Sequence, residues 1–109
     1  MKIDQNYSFS RVLNWSDSKK KAIDTTNYIG KFQIRQGYGS AVVVEISSGN
    51  GITISNDGVI KFTLTSAQTK LLTSSNYIYE LALKNTITNE VVRLIYGDIT
   101  VNRGVIQWD

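Results

Sequence analysis

The sequence predicts an all-β domain, and three observations support this prediction. The chain is rich in Ser, Thr and Asn, with 11, 10 and 9 copies among its 109 residues. Thr favours strands, while Ser and Asn favour turns. Apolar and polar residues alternate with period two along most of the chain, which indicates half-buried strands. Seven or eight such segments follow one another about 8–12 residues apart, which is the spacing of a sandwich or a barrel.

The first half of the chain contains four predicted strands. Residues 7–15 alternate apolar with polar side chains, with Arg11 interrupting the apolar positions. Residues 28–35 alternate in the same way. Residues 41–47 are almost continuously apolar, which predicts a strand with little solvent on either side. A short strand, residues 52–55, follows the turn signal Ser48-Gly49-Asn50-Gly51.

The second half contains three further strands and one helix. Asn56-Asp57-Gly58 reads as a hairpin loop, with Gly58 supplying a positive φ, and residues 59–64 form the return strand. A short helix is expected near residues 66–72, capped by Thr65 or Ser66, with Leu71 and Leu72 buried by tertiary packing. Residues 77–84 and 90–101 complete the pattern. Gly97 sits at a slip of phase in the last strand, which predicts a β-bulge there.

Length and charge place limits on the organisation of the protein. A chain of 109 residues is expected to form one domain, residues 1–109, with no second core. The net charge is +3, but the basic residues are spread along the chain, so we do not expect a nucleic-acid partner. The first six residues lack the apolar core of a signal peptide, and no apolar run is long enough to span a bilayer. We therefore expect synthesis in the cytoplasm and no membrane contact.

The composition argues against most enzymes. The chain contains no His and no Cys, so the usual general base, the nucleophilic triads and the common zinc sites cannot be built. Most of its nine carboxylates lie in predicted turns or beside strand ends, where solvated or capping roles are ordinary. We expect no catalytic residues, no cofactor and no metal site.

The candidate functional residues are therefore contact residues. Tyr38 lies in a glycine-flanked loop, and aromatic side chains outside a core often make contacts with other molecules. The run Lys19-Lys20-Lys21 can touch phosphate or an acidic partner, although a solvated loop is the ordinary explanation. The unpatterned C-terminal segment adds Val105, Ile106 and Trp108. An interface with another protein chain is the first interpretation of these residues, and stacking on a sugar is the second.

The order of several short motifs carries a family resemblance. These motifs are Trp15-Ser16-Asp17, Ile23-Asp24-Thr25-Thr26-Asn27-Tyr28, Gln33-Ile34-Arg35, Asn50-Gly51-Ile52-Thr53-Ile54, Asp57-Gly58-Val59-Ile60, Leu64-Thr65-Ser66-Ala67-Gln68-Thr69, Tyr77-Ile78-Tyr79-Glu80-Leu81 and the segment from Val92 to Val101. Over residues 7–101 the chain resembles a family of small tailed-phage proteins whose genes lie near tail-fibre genes. It is also similar to the N-terminal domain of baseplate upper proteins of phages that infect Gram-positive bacteria.

The resemblance implies both a fold and a role. The implied fold is an immunoglobulin-like antiparallel β-sandwich of seven to eight strands. The implied role is non-enzymatic: a tail or baseplate component of the virion, or an adaptor that attaches receptor-binding fibres or spikes. The expected partners are other tail or baseplate proteins, with the fibre or spike, in a symmetric homo-oligomer. The alternative function is a carbohydrate-binding β-sandwich module that uses Tyr38, Trp108 and the exposed side of the sheets.

Overall fold

A computed structural model describes residues 1–106 of the chain. In this part of the chain, eight β-strands and one short helix follow one another. Buried and exposed side chains alternate along the long strands, so the period-two pattern of the sequence separates an inner from an outer face. In chain order the elements are β1 (Lys2–Asp4), β2 (Phe9–Asn14), β3 (Tyr28–Arg35), β4 (Val42–Ser48), β5 (Gly51–Ile54), β6 (Val59–Leu64), α1 (Ser66–Lys70), β7 (Asn76–Asn85) and β8 (Val91–Asn102).

All eight strands belong to one hydrogen-bonded sheet, in the order β1-β8-β7-β3-β4-β5-β6-β2. The sheet is mixed, because β1 pairs in parallel with the end of β8 and β4 pairs in parallel with β5 over two residue pairs. It also curls until it is nearly barrel-shaped. The rings of Phe32 in β3 and Phe62 in β6 stack with centroids 4.8 Å apart, although two strands separate β3 from β6 within the sheet.

The inside of the curled sheet is filled by one cluster of buried apolar side chains. Every strand except β2 contributes at least one buried apolar residue to it. β2 lies at an edge of the sheet and covers the core only with the half-buried side chains of Phe9 and Leu13. Packing of this cluster supplies the main stabilisation, because within residues 1–106 nothing but noncovalent contacts joins the strands.

The long connection between β2 and β3 is fastened to the β5–β6 hairpin. Thr25 is buried, and its hydroxyl accepts a hydrogen bond from the Gly58 amide at 3.0 Å and donates one to the Ser55 carbonyl. Gly58 has φ of +82°, which confirms its predicted role in the turn. A Cβ at this position would lie 2.5 Å from the Trp15 carbonyl oxygen, so close packing also requires glycine here.

The short helix is the one that the sequence predicts. Thr65 caps it, and a full capping box is present, because Thr65 and Gln68 each bond the other's backbone. The helix ends at Lys70, and Leu72 then enters the core. The expectation that Leu71 is also buried is wrong: its side chain is exposed, because the successive side chains of Leu71 and Leu72 point to different sides and only Leu72 reaches the core.

The predicted fold class is confirmed at the coarser level, a β-rich fold with one short helix. The finer prediction, an antiparallel sandwich of two sheets, is not confirmed. The strands of the described chain form one continuous sheet with two parallel pairs.

Two details of the strand predictions need correction. The irregularity in β8 lies at Leu94 rather than at Gly97, since Gly97 pairs regularly with Tyr79 while Leu94 is the extra residue in the pairing with β7. Leu94 and Ile95 both pack against the core, and accommodating two successive inward side chains is the reason for the bulge. The prediction that β4 has little solvent on either side is wrong, because only alternate residues of β4 are buried and Glu45 is exposed.

Candidate functional site

The outward side chains of β4, β3, β7 and β8 form a broad surface, here called the outer face. Across the four strands one row runs through Glu45, Gln33, Glu80 and Tyr96, which stand beside one another in the strand registers. Along this row Gln33 Nε2 donates to Glu45 Oε1 at 2.5 Å. The bulge at Leu94 turns Tyr96 to this face, where its side chain is 62% exposed. This row of the outer face is thus polar and ends at one exposed aromatic side chain.

A groove of about 170 Å³ lies at the end of the outer face where β3 ends and β7 begins. We call it the tyrosine groove, because three tyrosines contribute to its wall. Two arginines, a glutamine and a glutamate provide most of its polar groups. Its lining residues are Gln33, Arg35, Tyr38, Gly39, Ile78, Tyr79, Glu80, Arg93, Tyr96 and Gly97.

Tyr38 stands at the rim of the tyrosine groove. Its side chain is 91% exposed, and it lies in the β3–β4 loop. The loop closes through a hydrogen bond from the Ser40 amide to the Gly37 carbonyl at 3.1 Å. Arg35 holds the same loop, because its guanidinium donates to the Ser40 carbonyl and to Gln33 Oε1. An exposed aromatic ring is therefore carried on a loop that is fastened to the sheet.

Arg93 is the second organising residue of the groove. Its Nε donates to Glu80 Oε1 at 3.1 Å, and its guanidinium carbon lies 4.7 Å from the centre of the Tyr96 ring. These contacts fix the plane of the guanidinium. Within the described residues, neither terminal nitrogen of Arg93 nor Glu80 Oε2 has a protein partner. Two donors and one acceptor are therefore presented side by side to solvent.

Tyr79 forms the floor of the groove. Its ring packs toward the core, with its centroid 5.8 Å from that of Phe32. Gly97 faces this ring from β8, and a Cβ at Gly97 would lie 3.5 Å from the edge of the ring. Because Tyr79 and Gly97 belong to the inward phase of their strands, they line the groove from its core side.

The segment after β8 is held in a defined position by two buried polar residues near the N-terminus, Gln5 and Asn6. Gln5 Oε1 accepts hydrogen bonds from Arg103 Nε and the Gly104 amide, at 3.1 and 3.2 Å. Asn6 Nδ2 donates to the carbonyl of Ile106 at 2.9 Å. Val105, between these anchor points, has a side chain that is 95% exposed.

The three lysines lie at the opposite end of the sheet. Asp17 Oδ1 accepts from the amides of Lys19 and Lys21, at 2.8 and 2.9 Å, so the loop is a tight turn with Lys20 at φ of +64°. This loop adjoins Trp15, whose ring meets that of Tyr28 at the start of β3. Tyr38 follows the end of β3, so the length of one strand, roughly 25 Å, separates the lysines from the tyrosine groove.

Predicted contact residues therefore fall into two groups. Tyr38, Val105 and Ile106 lie at the end of the sheet where β3 and β8 finish, and Lys19, Lys20 and Lys21 lie at the other end. Trp108 lies outside the described residues. Sequence reasoning missed Arg93, Glu80 and Tyr96, because the period-two pattern does not give the register that brings them together. The two successive apolar residues Leu94 and Ile95 were the signal that could have shown the bulge, after which Tyr96 lies on the outer face.

A gap separates the two ends of the curled sheet. β1 covers only the last three residues of β8, and the remaining edge of β8 faces β2 without strand pairing in the described chain. A space of about 210 Å³ lies between them, lined by Leu13, Asn14, Trp15, Leu94 and Ile95. Arg11, on the same side of β2 as Phe9 and Leu13, is exposed, and a charge on the inner side of an edge strand opposes pairing with other chains.

Two ionisable groups have clearly displaced pKa values. Hydrogen bonds from the hydroxyl and the amide of Thr26 hold the pKa of Asp24 below its ordinary value. Burial raises the pKa of Tyr77, but hydrogen bonds from Ser74 and Thr73 outweigh it, and the net pKa is lowered. Both groups stabilise loops. Asp24 accepts hydrogen bonds in the turn before β3, and the Tyr77 hydroxyl accepts one from the Ser74 amide in the loop before β7.

Among residues 1–106, no three acidic side chains gather in an arrangement that could hold a metal ion. No helix in this part of the chain is long and apolar enough to cross a membrane. Comparison with protein-family models and with curated protein sequences finds no match for this chain.

Proposed function

We propose that this protein is a non-enzymatic structural component of a tailed-phage virion, located in the tail or baseplate, where it acts as an adaptor for receptor-binding fibres or spikes. The proposal rests first on the order of short motifs over residues 7–101, which resembles that of small tail proteins and of baseplate upper proteins. In the particle the chain forms a symmetric homo-oligomer, and small domains in such assemblies gain specificity from repeated interfaces.

The structural observation that carries the proposal is the fixed segment after β8. Gln5 and Asn6 hold its backbone, so Val105 is presented to solvent on an ordered support. An exposed apolar side chain on a preorganised backbone loses little conformational entropy when it enters an interface. Tyr38 lies at the same end of the sheet, so the two can belong to one contact surface.

The proposal also includes the immunoglobulin-like sandwich that the resemblance implies. β3, β4, β7 and β8 would form one of its two layers, and β5, β6 and β2 the other. The stacking of Phe32 on Phe62 across the core supports this division. The continuous β4–β5 connection then joins the layers at one side.

Mass spectrometry of purified particles tests the proposed location. The particles are purified from a lysate of host cells that produce the phage whose genome encodes this chain. The expected result is a constant number of copies per particle, retained through density-gradient purification. Absence of the chain from washed particles, while it is present in the lysate, contradicts the proposal.

A matched pair of variants tests the contact surface. Val105→Asp is expected to lower incorporation into particles about tenfold or more, because a charge enters an apolar contact. Ile87→Asp is the control, since Ile87 is also an exposed aliphatic residue (72%) but lies in the β7–β8 loop at the opposite end of the sheet. Equal incorporation of both variants would remove the segment after β8 from the interface.

A further inference from the structure

The tyrosine groove has the features of a ligand site, and of its lining residues only Tyr38 is shared with the proposed contact surface. It combines exposed aromatic rings with polar groups that are held in place but not saturated. A volume of about 170 Å³ is below the range typical of drug-sized ligands, and it suits a single ring with small substituents.

The aromatic part of the groove offers surface for stacking. Tyr38 presents both faces of its ring, because its side chain is almost fully exposed. The faces of aromatic rings carry partial negative charge and attract polarised C–H groups. Arg93 already lies over the Tyr96 ring, so Tyr38 is the free platform and Tyr96 serves to orient Arg93.

The polar part of the groove matches a pair of neighbouring hydroxyl groups. The terminal nitrogens of Arg93 are planar donors, and Glu80 Oε2 beside them is an acceptor. A hydroxyl both donates and accepts, so two adjacent hydroxyls can bind this donor–acceptor pair together. Since the Arg93–Glu80 contact already restricts both side chains, ligand binding has less side-chain entropy to remove than at two unpaired residues.

The charge balance distinguishes a neutral ligand from an anion. Of the two arginines in the groove, Arg93 is paired with Glu80, and the guanidinium of Arg35 donates to Gln33 Oε1 and to the Ser40 carbonyl. The carboxylate of Glu80 beside Arg93 repels an anion and accepts from a hydroxyl, so this pair favours a neutral ligand over a phosphate or an acidic peptide. A ring with apolar C–H faces and hydroxyl edges, without net charge, is a sugar.

We propose that the tyrosine groove binds a neutral saccharide, with one pyranose ring stacked on Tyr38 and two vicinal hydroxyls held by Arg93 and Glu80. The site lies on the outer face, and binding to the isolated chain can be tested whether or not the proposed role in a virion holds. A single ring in a shallow groove is expected to bind with a dissociation constant on the order of 1 mM, and longer oligosaccharides somewhat more tightly.

The test is an NMR titration of the full isotope-labelled chain with glucose, galactose, mannose and N-acetylglucosamine, and with neutral oligosaccharides of these sugars. The expected result is saturable shifts for at least one sugar, centred on the Tyr38 and Gly97 amides and on the Arg93 side chain. Tyr38→Ala should weaken that binding about tenfold or more. Tyr7→Ala, which removes an exposed tyrosine outside the groove, should leave it unchanged.

Three outcomes would overturn the proposal. The first is the absence of saturable shifts at the groove with every neutral sugar. The second is equal binding by the wild type and Tyr38→Ala. The third is binding only of charged probes, glucuronate or inorganic phosphate, that disappears as salt is raised, which would make the groove an anion site. Circular dichroism of each variant checks that the fold is retained.

Discussion

Removal of the Thr25 hydroxyl takes away only one polar atom, but it should destabilise the protein strongly. Thr25→Val keeps the shape of the side chain but leaves the Gly58 amide and the Ser55 carbonyl without their partner. A buried donor or acceptor without a hydrogen bond costs about 1–3 kcal/mol, so the two together cost about 2–6 kcal/mol. This is a large part of the total stability of a small domain, which is roughly 5–15 kcal/mol.

Urea denaturation followed by circular dichroism measures the effect of Thr25→Val. With an m value of about 2 kcal/mol/M, the midpoint is expected to fall by roughly 1–3 M. Thr25→Ser is the control, because it keeps the hydroxyl and loses one methyl group, at about 1 kcal/mol. If Thr25→Val is no less stable than Thr25→Ser, the hydroxyl does not hold the β2–β3 connection to the hairpin.

Three further predictions concern turns and edges. Gly49→Ala and Gly58→Ala both place a Cβ at φ near +80°, but of the two only Gly58 has a backbone atom, the Trp15 carbonyl oxygen, within 3 Å of that Cβ. In urea titrations Gly58→Ala should therefore lower the free energy of unfolding by about 1–3 kcal/mol more than Gly49→Ala. Equal losses would contradict the close approach. Because hydrogen bonds lower the pKa of Asp24 in the folded state, its contribution to stability is complete above the unfolded-state pKa and is lost as pH falls through the folded-state pKa. The stability difference between the wild type and Asp24→Asn should thus shrink on acidification, and a constant difference would refute this linkage. Arg11→Val should increase concentration-dependent association, measured by analytical ultracentrifugation, because it removes the charge that guards the edge of β2; a variant that stays as dispersed as the wild type would exclude that role.

Local signals in the sequence were sufficient for the elements that depend on local chemistry. The strand predicted at residues 28–35 is β3, because alternation and flanking turn residues define both of its ends. The same is true of the glycine turn at Gly58 and of the capping box at Thr65. The alternation, the positive φ of the turn and the helix cap each depend on residues close in sequence, although the close packing of Gly58 on the Trp15 carbonyl does not.

Features that depend on distant contacts could not be predicted. β1 has only three residues and no readable period, and it exists because Ile3 is buried and its backbone pairs with β8. The segment after β8 lacks a pattern because Gln5 and Asn6 hold it through side-chain bonds. The tyrosine groove was only partly foreseen: Tyr38 was identified from its loop, whereas Arg93 became visible only with the register of β7 and β8.

Electron microscopy of intact purified particles tests most directly whether this protein is a structural component of a phage tail. The expected result is density in the tail or baseplate that fits the curled eight-stranded sheet in symmetric copies, with Val105 or Tyr38 at the contacts between neighbouring chains. A complete reconstruction of tail and baseplate in which every β-domain is accounted for by other chains would contradict the account.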